Sequence, residues 1–494
     1  VERFLSVDLN LVIPLFVALP LTMAFLILMA SRWLRWLPDT LGNLTLLALA
    51  GLSFLCLGHN VVYHMGDWIT PLGVDLRLDP LAALLLIAVN GIGFLAGVYS
   101  IHYMRQFTSK SRYYALFLLM IAGMNGVVLT ADLFNLYVFM ELASVASYAL
   151  VGFGCQHEEL EASFKYLVLG SLATLLVLVG VALIYGMTGS LNMAHIATKL
   201  SAMPSTKPLV FSLALLICGF GLKSALVPFH AWLPDAHPSA PAPISAMLSG
   251  VVIKAIGVYV LARLFFNVFG VTPTLLWVLQ LLGVVSMVVG VFLAIGQWDM
   301  KRLFAYHSIS QIGYVVLGLG LGTPLGIIGG LYHLINHSVF KSLLFLNAGA
   351  VEYATGTREL KHLGGLNQSL PLTGKTTLIA SMSIAGIPPF NGFWSKLLII
   401  VACLQSGHYW LGGWAVFVSL MTLASFLKVQ KYAFFAAASS TLGTIRKVPF
   451  FMSASLVVLA LLCLATAFAV ITGLSTPAFI TPAADVLLKG VITL

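Results

Sequence analysis

The chain has 494 residues, of which 60% are hydrophobic and 8% charged, and carries a net charge of +9. A soluble domain is about 25% charged, and apolar runs of about twenty residues, each enough for a transmembrane helix, recur here from end to end. This composition excludes a water-soluble enzyme or nucleic-acid-binding module. It implies a polytopic helical membrane protein whose positive balance sits in basic loops on one membrane face.

In chain order the pattern predicts fourteen spans, near 8–31, 41–64, 79–101, 113–130, 132–153, 162–186, 209–227, 243–266, 274–297, 301–321, 324–350, 374–403, 409–436 and 450–473. The opening VERFLSVDLN is not a basic region and the first apolar run is full length, so no cleavable signal is expected. Of the 25 Lys and Arg residues, four lie within spans. Fifteen of the others, Arg32 and Arg35 among them, fall on one side, and six, including Arg3, on the other. The excess predicts that the first side is cytoplasmic and that both termini are outside. Cys56, Cys155, Cys218, Cys403 and Cys463 are scattered singly, with no CxxC or His/Cys cluster. Neither a zinc site, an iron–sulfur cluster nor a disulfide framework is expected.

Prolines interrupt two spans, in KSALVPFHAWLPDAHPSAPAPIS from Lys223 to Ser245 and in GIPPFNGFWSK from Gly386 to Lys396. Proline removes a backbone donor and clashes with the preceding turn, so each helix should open there. In a membrane, open backbone survives only inside protein or beside water. The two breaks are alike, Pro228-Phe229-x-x-Trp232 against Pro389-Phe390-x-x-Phe393, and lie five spans apart. Paired broken helices point to an internal repeat with an ion path, and the odd offset makes the repeats inverted.

Glu141, Lys223, Lys254, Lys341 and Lys396 all fall inside spans. In LYHLINHSVFKSLLFLNAG, His333, His337 and Lys341 are four residues apart, which stacks them on one helix face over about 12 Å. A single charge at the bilayer centre costs about 2.5–3.5 kcal/mol on insertion scales, so such a set is expected to line a polar route. Burial and neighbouring charge control lysine protonation, and histidine titrates near neutrality. The chemistry such a row performs is proton relay; sodium, which wants oxygen ligands, fits it less well. His230, Asp235 and His237 in PFHAWLPDAHP either line the cytoplasmic mouth or cap the broken helix. His307 lies near the start of the tenth span, where Lys301 and Arg302 read as cytoplasmic anchors, and Lys165 reads as an anchor or a relay member; both His307 and Lys165 are further candidates for the channel mouth.

Five stretches, LFNLYVFMELASVASYAL, GFGLKSALVPFHAWLPDAHPSAPAPISAMLSGVVIKAIGVY, KRLFAYHSISQIGY, NHSVFKSLLFLNAG and AGIPPFNGFWSKLLII, carry a further signal. In this order they resemble the antiporter-like subunits of respiratory complex I, of Mrp-type multisubunit cation/proton antiporters and of the related membrane-bound hydrogenases. The resemblance covers about residues 80–430. The tail after residue 473 is too short for the long lateral helix of the largest subunit type, so the D-type Mrp subunit and its hydrogenase counterpart are most similar. The resemblance implies an all-α membrane fold of fourteen helices with two inverted five-helix repeats, spans four to eight and nine to thirteen. The chain then divides into a three-helix segment at 1–110, repeats at 111–270 and 271–440, and a C-terminal helix and tail at 441–494. It further implies that Glu141 and Lys223 are the family's essential Glu–Lys pair and Lys254 its next central lysine. His333, His337 and Lys341 match the linking ladder, and Lys396 the terminal site at the second break, where members carry lysine or glutamate.

The expectation is a proton-translocating subunit of a multisubunit complex in the inner (cytoplasmic) membrane. Protons would be taken up near Lys254, pass His333, His337 and Lys341, and leave from Lys396, with the Glu141–Lys223 pair setting the affinity of Lys254. Its partners would be other membrane subunits, homologous antiporter-like ones among them, and lipid, with any sodium moved elsewhere in the complex. No redox or hydrolytic site, cofactor or metal is expected in this chain. Two alternatives stand beside this reading. One is a redox-active subunit holding haem or quinone, which His333 and His337 on one helix face suit poorly because axial ligands must face each other. The other is a freestanding secondary transporter.

Overall fold

The computed structural model describes residues 9–31, 34, 36–70, 72–107, 109–437, 442–471 and 480–490. Arg3, Arg32 and Arg35, and residues 474–479 and 491–494 of the tail, lie outside them. Among the described residues nine helices are long and apolar enough to cross a membrane: Leu9–Ala30, Pro80–Gln106, Lys110–Leu129, Leu133–Val151, His157–Thr188, Ala242–Asn267, Pro273–Ile295, Tyr409–Phe435 and Phe450–Phe468. Between them lie Leu37–Leu55, Lys207–Lys223, Met300–Gly320, Pro324–Thr355 and the pair Pro371–Ala385 and Asn391–Gln405.

Local sequence explains where many of these helices begin. Asp79, Thr206, Thr272 and Thr323 each accept a hydrogen bond from a backbone N–H of the first turn, and proline follows within two residues. The cap satisfies an orphan donor, and proline at the start has none to lose. Asp132 and Asp299 cap the Leu133–Val151 and Met300–Gly320 helices in the same way.

Two elements depart from the sequence expectation. The span read over 41–64 stops at Leu55, and Val61–His64 pairs antiparallel with Asp75–Leu78, placing His64 opposite Asp75. Gly58, at φ +78°, takes a turn that a residue with a side chain adopts only with strain, and the β-branched Val61 and Val62 suit the strand that follows. A short helix, Met193–Ser201, also lies between the sixth and seventh predicted spans.

The Pro324–Thr355 helix runs through the middle of the bundle. It packs against Met300–Gly320, Asn391–Gln405, Pro371–Ala385, the start of Ala242–Asn267 and Phe450–Ile471. From Asn336 to Val351 every residue is buried, as is every residue of Ala242–Asn267. The equally long His157–Thr188 helix instead leaves Leu160, Phe164, Leu172 and Leu175 exposed, a surface suited to lipid. At Gly250 a Cβ would fall 2.1 Å from Ser342 Oγ, so glycine is what lets the two central helices meet closely.

Candidate functional site: a buried row of lysines and histidines

The first break opens after Lys223, the last residue of its helix. The freed Val227 N–H donates to Ser286 Oγ at 3.0 Å, and Trp232 Nε1 donates to the Leu222 carbonyl at 2.9 Å. Lys223 is buried, and its Nζ donates to Ser144 Oγ at 2.8 Å and to Tyr148 OH at 3.2 Å. Both hydroxyls lie on the Leu133–Val151 helix, one and two turns past Glu141 and on the same face. The implied Glu141–Lys223 ion pair does not form: among the described residues no ion pair joins them. The hydroxyls take the ammonium instead. The carboxylate stays within electrostatic range of Lys223, with one oxygen buried and without a hydrogen-bond partner.

The next helix carries Lys254 in a stretch, Leu248–Val258, wound as π-helix around Ile253. Such winding leaves carbonyls without their usual amide partners and recurs at functional sites. Lys254 Nζ donates to two carbonyls of its own helix, Ser249 at 2.5 Å and Gly250 at 2.8 Å. On the central helix, Lys341 Nζ donates to the Phe304 carbonyl and lies over the rings of Phe304 and Phe345, 5.7 and 5.5 Å from their centroids. Aromatic faces attract a cation and add little polarity to the interior.

From Lys341 the row continues one turn at a time. His337 and His333 stack with ring centroids 6.1 Å apart and planes 10° from parallel. His337 is fully buried and neither ring nitrogen has a hydrogen-bond partner. His333 hydrogen-bonds with Ser395 Oγ at 2.9 Å and Gln311 Oε1 at 3.2 Å. Ser395 adjoins Lys396, so the spatial order is Lys341, then His337, then His333, then Lys396, with Lys254 within electrostatic reach of Lys341 and of both histidines. That reverses the order in which the ladder was expected to be travelled, because His333 lies on the turn nearer the second break.

At the second break, Gly386 (φ +77°) ends the Pro371–Ala385 helix. A Cβ there would lie 3.0 Å from Lys396 Cδ, so glycine serves both the turn and the lysine. Lys396 is buried; its Nζ donates to the Ile384 carbonyl at 2.7 Å and Ser419 Oγ at 3.2 Å, and lies 4.7 Å from the Tyr314 ring centroid. None of Lys223, Lys254, Lys341 and Lys396 has a carboxylate at ion-pair distance among the described residues.

The residues read as a channel mouth separate. Asp235 is near the surface, paired with Lys165 at 3.1 Å and Arg302 at 3.4 Å, so Lys165 is held at the face. His230 is partly buried, with Nδ1 unpartnered. His237 and His307 are wholly buried, and His307 Nε2 hydrogen-bonds with Ser425 Oγ at 2.9 Å. Lys301, read as an ordinary anchor, is buried too. Sequence reasoning missed Ser144, Tyr148, Gln311 and Ser395, whose small polar side chains carry no signal by themselves. It also missed the buried Arg263–Asp79 fork, with N···O distances of 2.7 and 2.8 Å, because 184 residues separate the partners. No group of three His, Cys, Asp or Glu side chains placed to hold a metal occurs among the described residues.

The family described as NADH:quinone oxidoreductase/Mrp antiporter, TM matches residues 130–422, which contain the whole row. The chain belongs to this family. A second family description, NADH-ubiquinone oxidoreductase (complex I), chain 5 N-terminus, matches residues 68–114. Among relatives of this antiporter-like chain, the N-type subunit of NADH-quinone oxidoreductase from Desulforudis audaxviator is 38% identical over 86% of this chain and 85% of its own. The D-type subunit of the Na(+)/H(+) antiporter from Alkalihalophilus pseudofirmus is 38% identical over 77% of each. Among solved structures, a chain of the Mrp complex from Dietzia sp. superposes with a TM-score of 0.90 at 29% identity, over 97% of this chain and 98% of that one. A chain of the archaeal membrane-bound sulfane sulfur reductase, a respiratory membrane complex, gives 0.89 at 31% identity, over 97% and 98%. The antiporter-like fold of a multi-pass membrane protein is therefore common to this chain and to subunits of several larger assemblies.

Proposed function

We propose that this chain is a proton-translocating antiporter-like subunit of a multisubunit membrane complex, and that protons move along Lys254, Lys341, His337, His333 and Lys396. The observation that carries the reading is the row itself: buried lysines with no carboxylate at ion-pair distance among the described residues, joined by two stacked histidines on one continuous helix. Burial and neighbouring charge control lysine protonation, and imidazoles between such groups accept and pass a proton. Intramembrane ionisable residues are costly and mark ion routes by default. Glu141 and Lys223 stand at the far end of the row, where the carboxylate modulates Lys223 without touching it. No cofactor or metal is assigned to this chain.

The finer architecture belongs to the same proposal: fourteen crossings, with inverted repeats at 111–270 and 271–440 flanked by 1–110 and 441–494. The matching broken helices support it. So does the sorting of Lys and Arg along the sequence, fifteen on one side and six on the other. The first face is the cytoplasmic one by the positive-inside rule, which leaves both termini on the outer side of the inner membrane. The partners are other membrane subunits, as in the assemblies named for its structural relatives.

The deciding experiment is Lys223→Ala in the purified native complex, reading proton transport in vesicles and subunit content together. Transport should be lost while the complex persists. Normal coupled transport in that variant would sink the assignment.

A further inference from the structure

The helices Leu37–Leu55 and Phe450–Ile471 both pack on Pro80–Gln106 but leave a groove of about 590 Å³ between them. Leu84, Ala88, Gly91 and Leu95 run along it, and its floor reaches Ile335 and Val339 of the central helix. The lining is apolar, and its two hydroxyls are already engaged. Ser338 Oγ donates to the Leu334 carbonyl at 2.9 Å and Thr466 Oγ1 to the Leu462 carbonyl at 2.8 Å. Leu47, Phe54 and Leu462 at the edges are exposed, so the groove opens on the bilayer side of the bundle.

Its length decides what fits. Leu84 to Leu95 spans about 16 Å at the helical rise, close to the hydrocarbon depth of one leaflet, about 15 Å. At the inner end Ser455 Oγ donates to the Leu95 carbonyl at 2.9 Å, and the two helices close on each other. A crossing helix of a partner needs about 30 Å, twice what the groove offers. An acyl chain entering from the nearer membrane face ends where the groove ends.

At that face the groove adjoins a second cavity, of about 410 Å³. Leu57 lines the first and Gly58 the second, and Leu84 of the first is one turn from Pro80 of the second. The second cavity is polar and holds His59, Arg77, Asp79, Asp485 and Lys489. Asp79 is already matched, because Arg263 donates to both its oxygens, at 2.7 and 2.8 Å. Arg77 stays 3.9 Å from Asp79, and its Nε is buried without a hydrogen-bond partner. Lys489 forms no ion pair among the described residues. Arg77 and Lys489 thus face Asp485 alone, and one positive charge is left over.

We propose that the two cavities form one site for an anionic phospholipid of the outer leaflet, its phosphodiester held by Arg77 and Lys489 and one acyl chain lying in the groove. The inference takes only the leaflet from the orientation given above and does not depend on proton transport. A phosphodiester supplies the one negative charge that the polar cavity lacks, and its oxygens accept charge-assisted hydrogen bonds from guanidinium and ammonium. The chain covers Ile335 and Val339, each two residues from a histidine of the row and so on another face of the helix. The lipid therefore props the back of the helix that carries His333 and His337.

The test uses the purified complex, washed at length in detergent, with retained lipid counted by native mass spectrometry. Wild type should keep one phosphatidylglycerol more than Gly91→Trp. A Cβ at Gly91 or Gly51 meets nothing within 4 Å, so an indole fills the groove without displacing protein; Gly51→Trp is the second such variant, and Gly91→Ala should keep the lipid. Added phosphatidylglycerol should raise the melting temperature of the washed wild type and not that of Gly91→Trp. Arg77→Gln and Lys489→Gln should each weaken binding about fivefold, or about 1 kcal/mol, the contribution of one basic residue near an anionic headgroup. Lys489 is exposed, so its variant reads the headgroup contact even where Arg77→Gln fails to assemble. Equal retention in wild type and both tryptophan variants overturns the site and leaves annular lipid only. Phosphatidylethanolamine held as well as phosphatidylglycerol, or inorganic phosphate giving the same thermal shift, overturns the headgroup assignment. A quinone retained in the groove in place of phospholipid overturns the ligand. None of these variants alters the proton row, so this site and the transport reading can fail independently.

Discussion

The two broken helices bury the same charge in different company. At the first, Lys223 is the last residue of its helix, held by the Ser144 and Tyr148 hydroxyls with the Glu141 carboxylate in electrostatic range. At the second, Lys396 reaches back to the Ile384 carbonyl at the C-terminal end of the Pro371–Ala385 helix. A helix C-terminus presents about half a negative charge and welcomes a cation. The first lysine thus sits beside a side-chain carboxylate, which a substitution can remove, and the second against a backbone dipole, which it cannot; this suits a regulated end and a terminal end of one row.

Removing either lysine gives the largest expected effect and asks whether both ends belong to one path. Lys396→Met preserves length and apolar contact, and, like Lys223→Met, it should lower proton transport in vesicles by about 10²–10⁴-fold with subunit content unchanged. Full transport in Lys396→Met with loss in Lys223→Met would break the comparison, since the row would then end before the second break. Glu141→Gln comes next. It removes only the carboxylate's field on Lys223, so a drop of about tenfold, or about 1.4 kcal/mol, is expected, without the complete loss expected for the lysines. A loss as deep as that of Lys223→Met would make Glu141 a carrier and not a modulator.

The elements of this contrast were unequally legible in the sequence. Glu141, Lys223, Lys254, Lys341 and Lys396 were readable because ionisable groups are rare in apolar runs, and the breaks because proline cannot continue a helix. The four-residue spacing of His333, His337 and Lys341 gave their shared face directly. Direction along that face was not readable, since spacing says which residues align but not which end meets Lys396. Nor was the preference of Lys223 for two hydroxyls, because Ser144 and Tyr148 look like ordinary helix residues until the helices are packed. Lys301 misled for a related reason: a lysine at a helix start reads as an anchor, and only the fold shows Glu352 and Ala240 closing over it. In Leu37–Leu55 and the strand after it, apolar content overrode the turn signal at Gly58.

The smaller tests separate hydroxyl support from dipole support. Ser144→Ala removes a 2.8 Å bond to a buried ammonium, and hydrogen bonds to charged groups contribute about 1.5–3 kcal/mol. Tyr148 at 3.2 Å then holds Lys223 alone. Transport should fall several-fold in Ser144→Ala and further in the double variant with Tyr148→Phe, while thermal stability of the complex drops slightly.

Ser419→Ala is the counterpart at the second break and should do least. Ser419 Oγ lies 3.2 Å from Lys396 Nζ and donates to the Ala385 carbonyl at 2.8 Å, but the side chain is only partly buried, so water can replace it. The shorter bond from Lys396 to the Ile384 carbonyl, at 2.7 Å, comes from backbone that no side-chain substitution removes. The expected cost is therefore near the low end of the hydrogen-bond range, about 0.5 kcal/mol, and transport should change less than twofold or threefold. The measurement is initial transport rate in vesicles, with Ser144→Ala beside it at matched subunit content. A larger loss in Ser419→Ala than in Ser144→Ala would mean that Lys396 depends on its hydroxyl and not on the helix end, and the proposed difference between the two breaks would fail.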